Sequence, residues 1–348
     1  GGLNPPALMT VKGNVILTDG TFYSPTNNLK VGGNWTDNGG IFDTWDCGCN
    51  GILTFNGAAA QAINGTDTTQ DFQDIVIDKP GAGAAATLTN ATVTRFTVND
   101  NFTLNNGTFA SAVANSIITI NNAGNGSSFA FNGGTFSSGA STVVNVNGPS
   151  SQTGGTINSL GLVNYVDVYG AGQTIITGSY ANLTFDDNNK TLAAGTIIIS
   201  GVFTPGLGTG HITTGNTMSF TGNASQVIPV FNFDGIATGT GYGGLTTTTA
   251  KVFAGNMAFN GIFSYAGANT NITLGSMNIL VGPSGSIAGV PSATHMIIIN
   301  GTGRLIKAFN TGAQSYTYPV GVGTTYTPVT LIFNSIKTAG QVGVSIAA

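Results

Sequence analysis

Apolar and polar residues alternate along this chain in short runs, and glycine and asparagine interrupt the runs every ~8–12 residues. The clearest runs are Asn14–Leu17, Ile52–Phe55, Asp74–Ile77, Ile117–Ile120, Thr142–Val146, Thr196–Ile199, Asn271–Leu274 and Met296–Ile299. A period of two with β-branched and aromatic residues predicts half-buried strands rather than helices. Between the runs stand Asn56-Gly57, Asn64-Gly65, Asn106-Gly107, Asn132-Gly133, Asn260-Gly261 and Asn300-Gly301. Such dipeptides serve turns that need positive φ. Short strands at even spacing predict a sandwich, a barrel or a solenoid.

Internal echoes select among these. Thr54–Ile63 (TFNGAAAQAI) matches Ser219–Ile228 (SFTGNASQVI), and Tyr169–Ile175 (YGAGQTI) is a fainter copy. The repeat-defining positions are Phe55, Gly57, Gln61 and Ile63, then Gln173 and Ile175, then Phe220, Gly222, Gln226 and Ile228. Aromatic-led strands follow each copy, at Phe72–Asp78, Tyr180–Asp186 and Phe231–Asp234. A second family runs through Asn101–Phe109, Phe131–Phe136, Thr18–Phe22 and Phe259–Phe263. Irregularly spaced copies predict an all-β, parallel β-helix or β-solenoid with degenerate rungs over 1–299. Residues 300–348 are then a C-terminal β segment, sandwich-like and the start of a further module. At ~20–25 residues per rung and ~4.8 Å between stacked strands, about 13 rungs would span some 60 Å. Tandem Ig-like sandwiches are the alternative.

Composition sharpens this picture. Only 6% of the 348 residues are charged, 41% are apolar and mean hydropathy is +0.22. Disorder requires low hydrophobicity with high net charge, so the chain folds. All 13 acidic residues are Asp, and 53 residues are Gly, which further disfavours helices. Net charge is −4 with nine scattered Lys and Arg, leaving no basic patch for nucleic acid. No apolar run reaches the ~18 residues of a membrane span. The opening Gly1–Pro6 is neither a start methionine nor a signal peptide and reads as mature protein or an interior piece.

Three stretches carry a resemblance: GNWTDNGGIF (Gly33–Phe42), LTFNGAAAQAI (Leu53–Ile63) and FQDIVIDKP (Phe72–Pro80). They resemble the repeat arrays of very large Bacteroidetes surface proteins exported by type IX secretion, which include gliding adhesins and filament formers. NGTGRLIKAF (Asn300–Phe309) and YTYPVGVGTTYTPVTLIF (Tyr316–Phe333) resemble the segment that follows such arrays. The resemblance implies an extracellular, cell-surface scaffold. Two departures stand out: DTWDCGCN (Asp43–Asn50) is inserted after the GIF turn, and the family's C-terminal sorting domain is not seen. The latter favours a fragment of a larger polypeptide, or a chain whose signal was removed.

Candidate chemistry is sparse. His211 and His295 lack a neighbouring acid or nucleophile motif and read as surface or turn residues. A glycosidase needs two carboxylates close together; Asp74 and Asp78 share a face but stand ~13 Å apart by strand rise. Asp71 and Asp186-Asp187 complete the acidic candidates, with Arg95 and Arg304 the only guanidinium groups. Asp186 and Asp187 are also the calcium candidates, with a solvated turn as the plain reading; no other cofactor is expected. Cys47 and Cys49 leave three options open: a strained local bridge, a cross-link to another chain, or free thiols. The sequons at Asn34, Asn64, Asn90, Asn182, Asn223 and Asn271 arise by chance in so Asn- and Thr-rich a chain. Leu245–Thr249 (LTTTT) resembles the threonine faces of ice-binding solenoids, although one run in one rung makes no array.

The expectation is therefore a secreted, non-catalytic structural or adhesive stalk or filament protein. Its expected partners are itself, as homo-oligomer or filament, the remainder of a larger polypeptide, and surface glycans. A carbohydrate-binding or polysaccharide-cleaving solenoid is the alternative, with Tyr23, Trp35, Tyr165, Tyr169 and Tyr242 as stacking candidates, against a reading in which most aromatics fill the core or stack along it.

Overall fold

A computed structural model describes residues 6–44, 51–80, 87–111, 113–120, 128–168, 170, 172–233, 241–267 and 270–346. No helix occurs among them, so none is long and apolar enough to cross a membrane. The chain forms a β-solenoid of about 13 turns, divided between two compact units at residues 1–188 and 189–348. Pairing is parallel from coil to coil, which a tandem array of antiparallel sandwiches would not give.

In the first unit each complete coil contributes three short strands. One face stacks Leu8–Val11, Asn28–Val31, Ile52–Phe55, Asp74–Asp78, Phe102–Asn106, Phe129–Phe131 and Ser150–Gln152. The second stacks Gln61–Gly65, Thr87–Asn90, Thr108–Ser111, Thr135–Ser138 and the start of Thr156–Tyr165. The third stacks Thr69–Phe72, Arg95–Val98, Ile117–Ile120, Val143–Val146 and the end of Thr156–Tyr165. Alternation turns every second side chain inward, and Leu53, Phe55, Ile75, Ile77, Phe102 and Leu104 are fully buried. The echoes Asn101–Phe109 and Phe131–Phe136 are neighbours in space: Thr108-Phe109 pairs in register with Thr135-Phe136. Their phenylalanines pack with Phe102, Phe129 and Phe131 at centroid separations of 4.7 to 6.4 Å.

Outward polar side chains bond along the stack. Asn101 Nδ2 donates to Asp74 Oδ1 (2.7 Å), and Asn101 Oδ1 accepts from the Ser128 N–H one coil on (2.9 Å). Asn132 Nδ2 donates to Asn105 Oδ1, and Asn164 Nδ2 to Asn145 Oδ1, both at 2.9 Å. Stacked amides hold adjacent coils without placing like charges one rung apart.

The second unit repeats the plan through Gly195–Ile199, Asn216–Phe220, Gly244–Thr247, Ile262–Tyr265 and Ser286–Ala288. Parallel stacking runs on through Met257–Phe259, Ile279–Val281 and Leu305–Phe309, and through Ile297–Ile298 and Val320–Val322. There the pattern changes. Gly340–Val344 returns antiparallel beside Leu305–Phe309, and Val329–Ile336 beside Gly312–Tyr318. The returning strand Gly340–Val344 thus covers Leu305–Phe309, the last parallel strand of its stack.

Candidate functional site

The repeat-defining glutamines build the most distinctive polar constellation. Gln61, Gln173 and Gln226 are all buried, and each Nε2 donates to two backbone carbonyls of the preceding coil. Gln61 reaches Val31 (2.9 Å) and Gly33, Gln173 reaches Val146 and Gly148 (both 2.8 Å), and Gln226 reaches Ile199 (2.9 Å) and Gly201 (2.8 Å). The Gly57 and Gly222 N–H groups close the turn by donating to Gln61 Oε1 (2.9 Å) and Gln226 Oε1 (2.8 Å). Glycine is required there because a Cβ would collide with the Gly32 or Ser200 carbonyl. Phe55 and Phe220 enter these turns, while Ile63, Ile175 and Ile228 leave them; all five are buried. The two strong echoes are thus one structural device, built once in each unit.

Lysines complete it, and sequence reasoning missed them. Four of the seven lysines, Lys79, Lys190, Lys251 and Lys307, are buried, although a lysine is almost never fully buried unless paired. Lys79 Nζ donates to Gly57 O (2.9 Å), Ala59 O (2.9 Å) and Gln61 Oε1 (2.7 Å). Lys251 Nζ serves Gly222 O, Asn223 O and Thr249 Oγ1; Lys307 Nζ serves the carbonyls of Gly282, Pro283 and Gly285. Each of these three ammonium groups thus gives at least two donors to main-chain turn carbonyls, and Lys79 and Lys251 give the third to a side-chain oxygen. The available signal was position: Lys79 ends the run Ile75–Asp78, and Lys307 interrupts the apolar Leu305–Phe309.

Burial pulls the pKa of Lys79 and of Lys307 down to about 8 and lowers that of Lys251. It pushes Tyr165 up to about 12 and raises Tyr180 and Tyr242 as well. These shifts set a pH profile for stability. From about pH 8 to the ordinary lysine value of 10.5, the unfolded chain holds more protons than the folded one, so stability rises with pH. The tyrosines oppose this: their stabilisation is whole below the ordinary phenol value of 10.0 and is lost as pH climbs toward 12. Urea midpoints at constant ionic strength are expected to rise from pH 8 to near pH 10 and then fall. Lys79→Met should remove part of the rise, and a midpoint unchanged between pH 8 and 10 would refute the assignment.

The other candidates serve local structure. Asp74 Oδ1 accepts from the Asn101 N–H and Nδ2, both at 2.7 Å; burial raises its pKa against those bonds. Asp78 Oδ1 accepts from Asn106 Nδ2 (2.8 Å), and Asp71 lies on a different strand, so the three do not converge. Asp186 accepts from the N–H groups of Asp167 and Asn188 and from Asn188 Nδ2, a turn-stapling arrangement. Among the described residues no group of three His, Cys, Asp or Glu could hold a metal ion. Cys47, Cys49 and Tyr169 lie outside the described residues.

One expectation needs correction. His211 is buried rather than exposed: its Nδ1 accepts from the Lys190 N–H (2.9 Å), its N–H donates to Asn232 Oδ1 (2.8 Å), and its ring packs on Phe231. His295 does sit in a turn, with Nε2 2.7 Å from Gly267 O. Of the aromatic candidates among the described residues only Tyr23 is exposed, while Trp35, Tyr165 and Tyr242 fill the core. Inward alternation claims an aromatic ring whenever the coil is wide enough to take it. Two surface grooves stand out, of about 450 and 420 Å³. Val202, Phe203, Val227 and Pro229 line the first, and Asn216, Gly243 and Asn260 the second; neither contains a titratable residue. Comparison with protein-family models, curated proteins and solved structures finds no match to this chain.

Proposed function

We propose that this chain is a non-catalytic structural or adhesive segment of a secreted bacterial surface protein, acting as a stalk or filament component. The observation that carries the reading is how its polar groups are employed. The glutamines, the three clamping lysines and most of the amide side chains described above bond from one coil to the next, which is work of assembly rather than chemistry. The likeness of Gly33–Phe42, Leu53–Ile63 and Phe72–Pro80 to type IX-exported repeat arrays points the same way. Self-association and attachment to the remainder of a larger polypeptide are part of the proposal, since stacked coils extend by adding coils.

Negative-stain imaging of the native assembly, together with turnover assays on a panel of polysaccharides, tests it. Elongated particles without turnover are expected. Hydrolysis of any glycan, or compact particles without extension, would replace this reading with the carbohydrate-directed alternative or with another.

A further inference from the structure

Asparagine followed by glycine is a chemically labile pair, since no side chain shields the glycine nitrogen from the carboxamide that precedes it. Four such pairs have an exposed asparagine whose side-chain carbonyl accepts a hydrogen bond from an adjacent coil. Asn38 Oδ1 accepts from the Thr66 N–H (3.1 Å), Asn132 Oδ1 from Thr153 Oγ1 (3.1 Å), Asn260 Oδ1 from the Ser284 N–H (3.1 Å) and Asn300 Oδ1 from the Gly275 N–H (2.9 Å). The pairs differ in the other reactant. The Gly39 N–H donates to Asp37 Oδ1 (3.0 Å), and the Gly133 N–H to Leu104 O (3.2 Å). The Gly261 and Gly301 N–H groups make no hydrogen bond among the described residues.

We propose that Asn260 and Asn300 are sites of spontaneous covalent modification. The Gly261 or Gly301 nitrogen gives its proton to solvent and bonds to the preceding Cγ. The Cγ–Nδ2 bond then breaks, and that nitrogen leaves as ammonia with a proton from water. Water reopens the resulting succinimide ring, at Cγ to leave aspartate or at the main-chain carbonyl carbon to leave isoaspartate. The main-chain N–H already bonded to Oδ1 stands where negative charge develops during the attack, a one-donor oxyanion site. At Asn38 and Asn132 the same attack must first break the bond that holds the glycine N–H.

Two further pairs lack one of these features. The Gly107 N–H is also free among the described residues, but Asn106 Nδ2 donates to the Asp78 carboxylate (2.8 Å), whose charge opposes an oxyanion beside it. Gly148 follows the half-buried Asn147, whose side-chain carbonyl accepts no hydrogen bond among the described residues. Each conversion at Asn260 or Asn300 adds one negative charge to a chain whose net charge is −4. Isoaspartate also lengthens the main chain by a methylene, in a corner where Gly282 leaves no room for a Cβ beside Asn260 Oδ1. The proposal is independent of the stalk reading.

The test incubates the full folded chain at mildly alkaline pH and follows each Asn–Gly peptide by mass spectrometry for the replacement of NH2 by OH. Asn260 and Asn300 should convert at least about fivefold faster than Asn38 and Asn132, the factor that one protein hydrogen bond commands. Unfolding in guanidinium chloride releases every glycine N–H, and the four rates should then converge. Asp37→Ala, which frees the Gly39 N–H, should bring Asn38 up toward the Asn300 rate, with a urea midpoint to check that the variant folds. Conversion of Asn38 or Asn132 as fast as that of Asn260 and Asn300 in the folded chain would overturn the proposal. So would a ranking that survives unfolding, or an Asn38 that stays slow in folded Asp37→Ala.

Discussion

Lys79→Met is expected to lower the unfolding free energy by ~1–3 kcal/mol, because it strips the buried carbonyl of Gly57 of its donor at ~1–3 kcal/mol per unsatisfied group, while the carbonyl of the exposed Ala59 can turn to water. Gln61 Oε1 keeps its bond from the Gly57 N–H and loses less. Buried ion pairs can often be exchanged for apolar residues without loss. That escape is closed here, since the partners are main-chain carbonyls that no substitution removes. Urea denaturation measures the effect, and a double-mutant cycle with Gln61→Leu apportions it. The two residues share one network, so a coupling of ~0.5–3 kcal/mol is expected between them. Lys79→Met and Lys307→Met lie in different units and should add to within ~0.5 kcal/mol. An undiminished urea midpoint in Lys79→Met would mean that the ammonium is not what holds this corner.

Phe136→Ala should cost still more, ~3–5 kcal/mol, the range for truncating a buried phenylalanine. Its ring touches those of Phe102, Phe109, Phe129 and Phe131, so the void opens at the centre of a five-ring cluster. Stacked repeats carry stability through neighbouring coils. Hydrogen exchange should therefore speed up first in Thr108–Ser111 and Thr156–Tyr165, which pair with the mutated strand on either side. Amides of Asn216–Phe220, in the second unit, should exchange as before. A loss below ~1 kcal/mol, outside the range for such truncations, would show that the cluster is loosely packed.

How far these features were legible in the chain varies residue by residue. Phe55, Gly57, Gln61 and Ile63 stood out because Phe220, Gly222, Gln226 and Ile228 repeat them, and the structure gives both sets the same turn. What the repetition could not convey is that Gln61 points inward and bonds the coil before it. Lys79 left almost no trace, since a lysine in a strand-and-turn pattern is ordinarily a solvated one. Trp35, Tyr165 and Tyr242 could be either stacking platforms or core by sequence, because an amphipathic ring is plausible on either side of a strand, and the structure puts all three in the core.

Local rules determined the all-β class, the strand runs and the corners, because side-chain alternation and positive φ at glycine act within a few residues and can be read without any partner. Which strand lies on which was decided only by the tertiary structure. Coils of unequal length bring distant residues into register, and that register alone buries Lys79, aligns Thr108 with Thr135 and turns the aromatic rings inward. Those outcomes depend on closing loops of some twenty or more residues around a shared core, a balance of chain entropy against packing that no single segment contains.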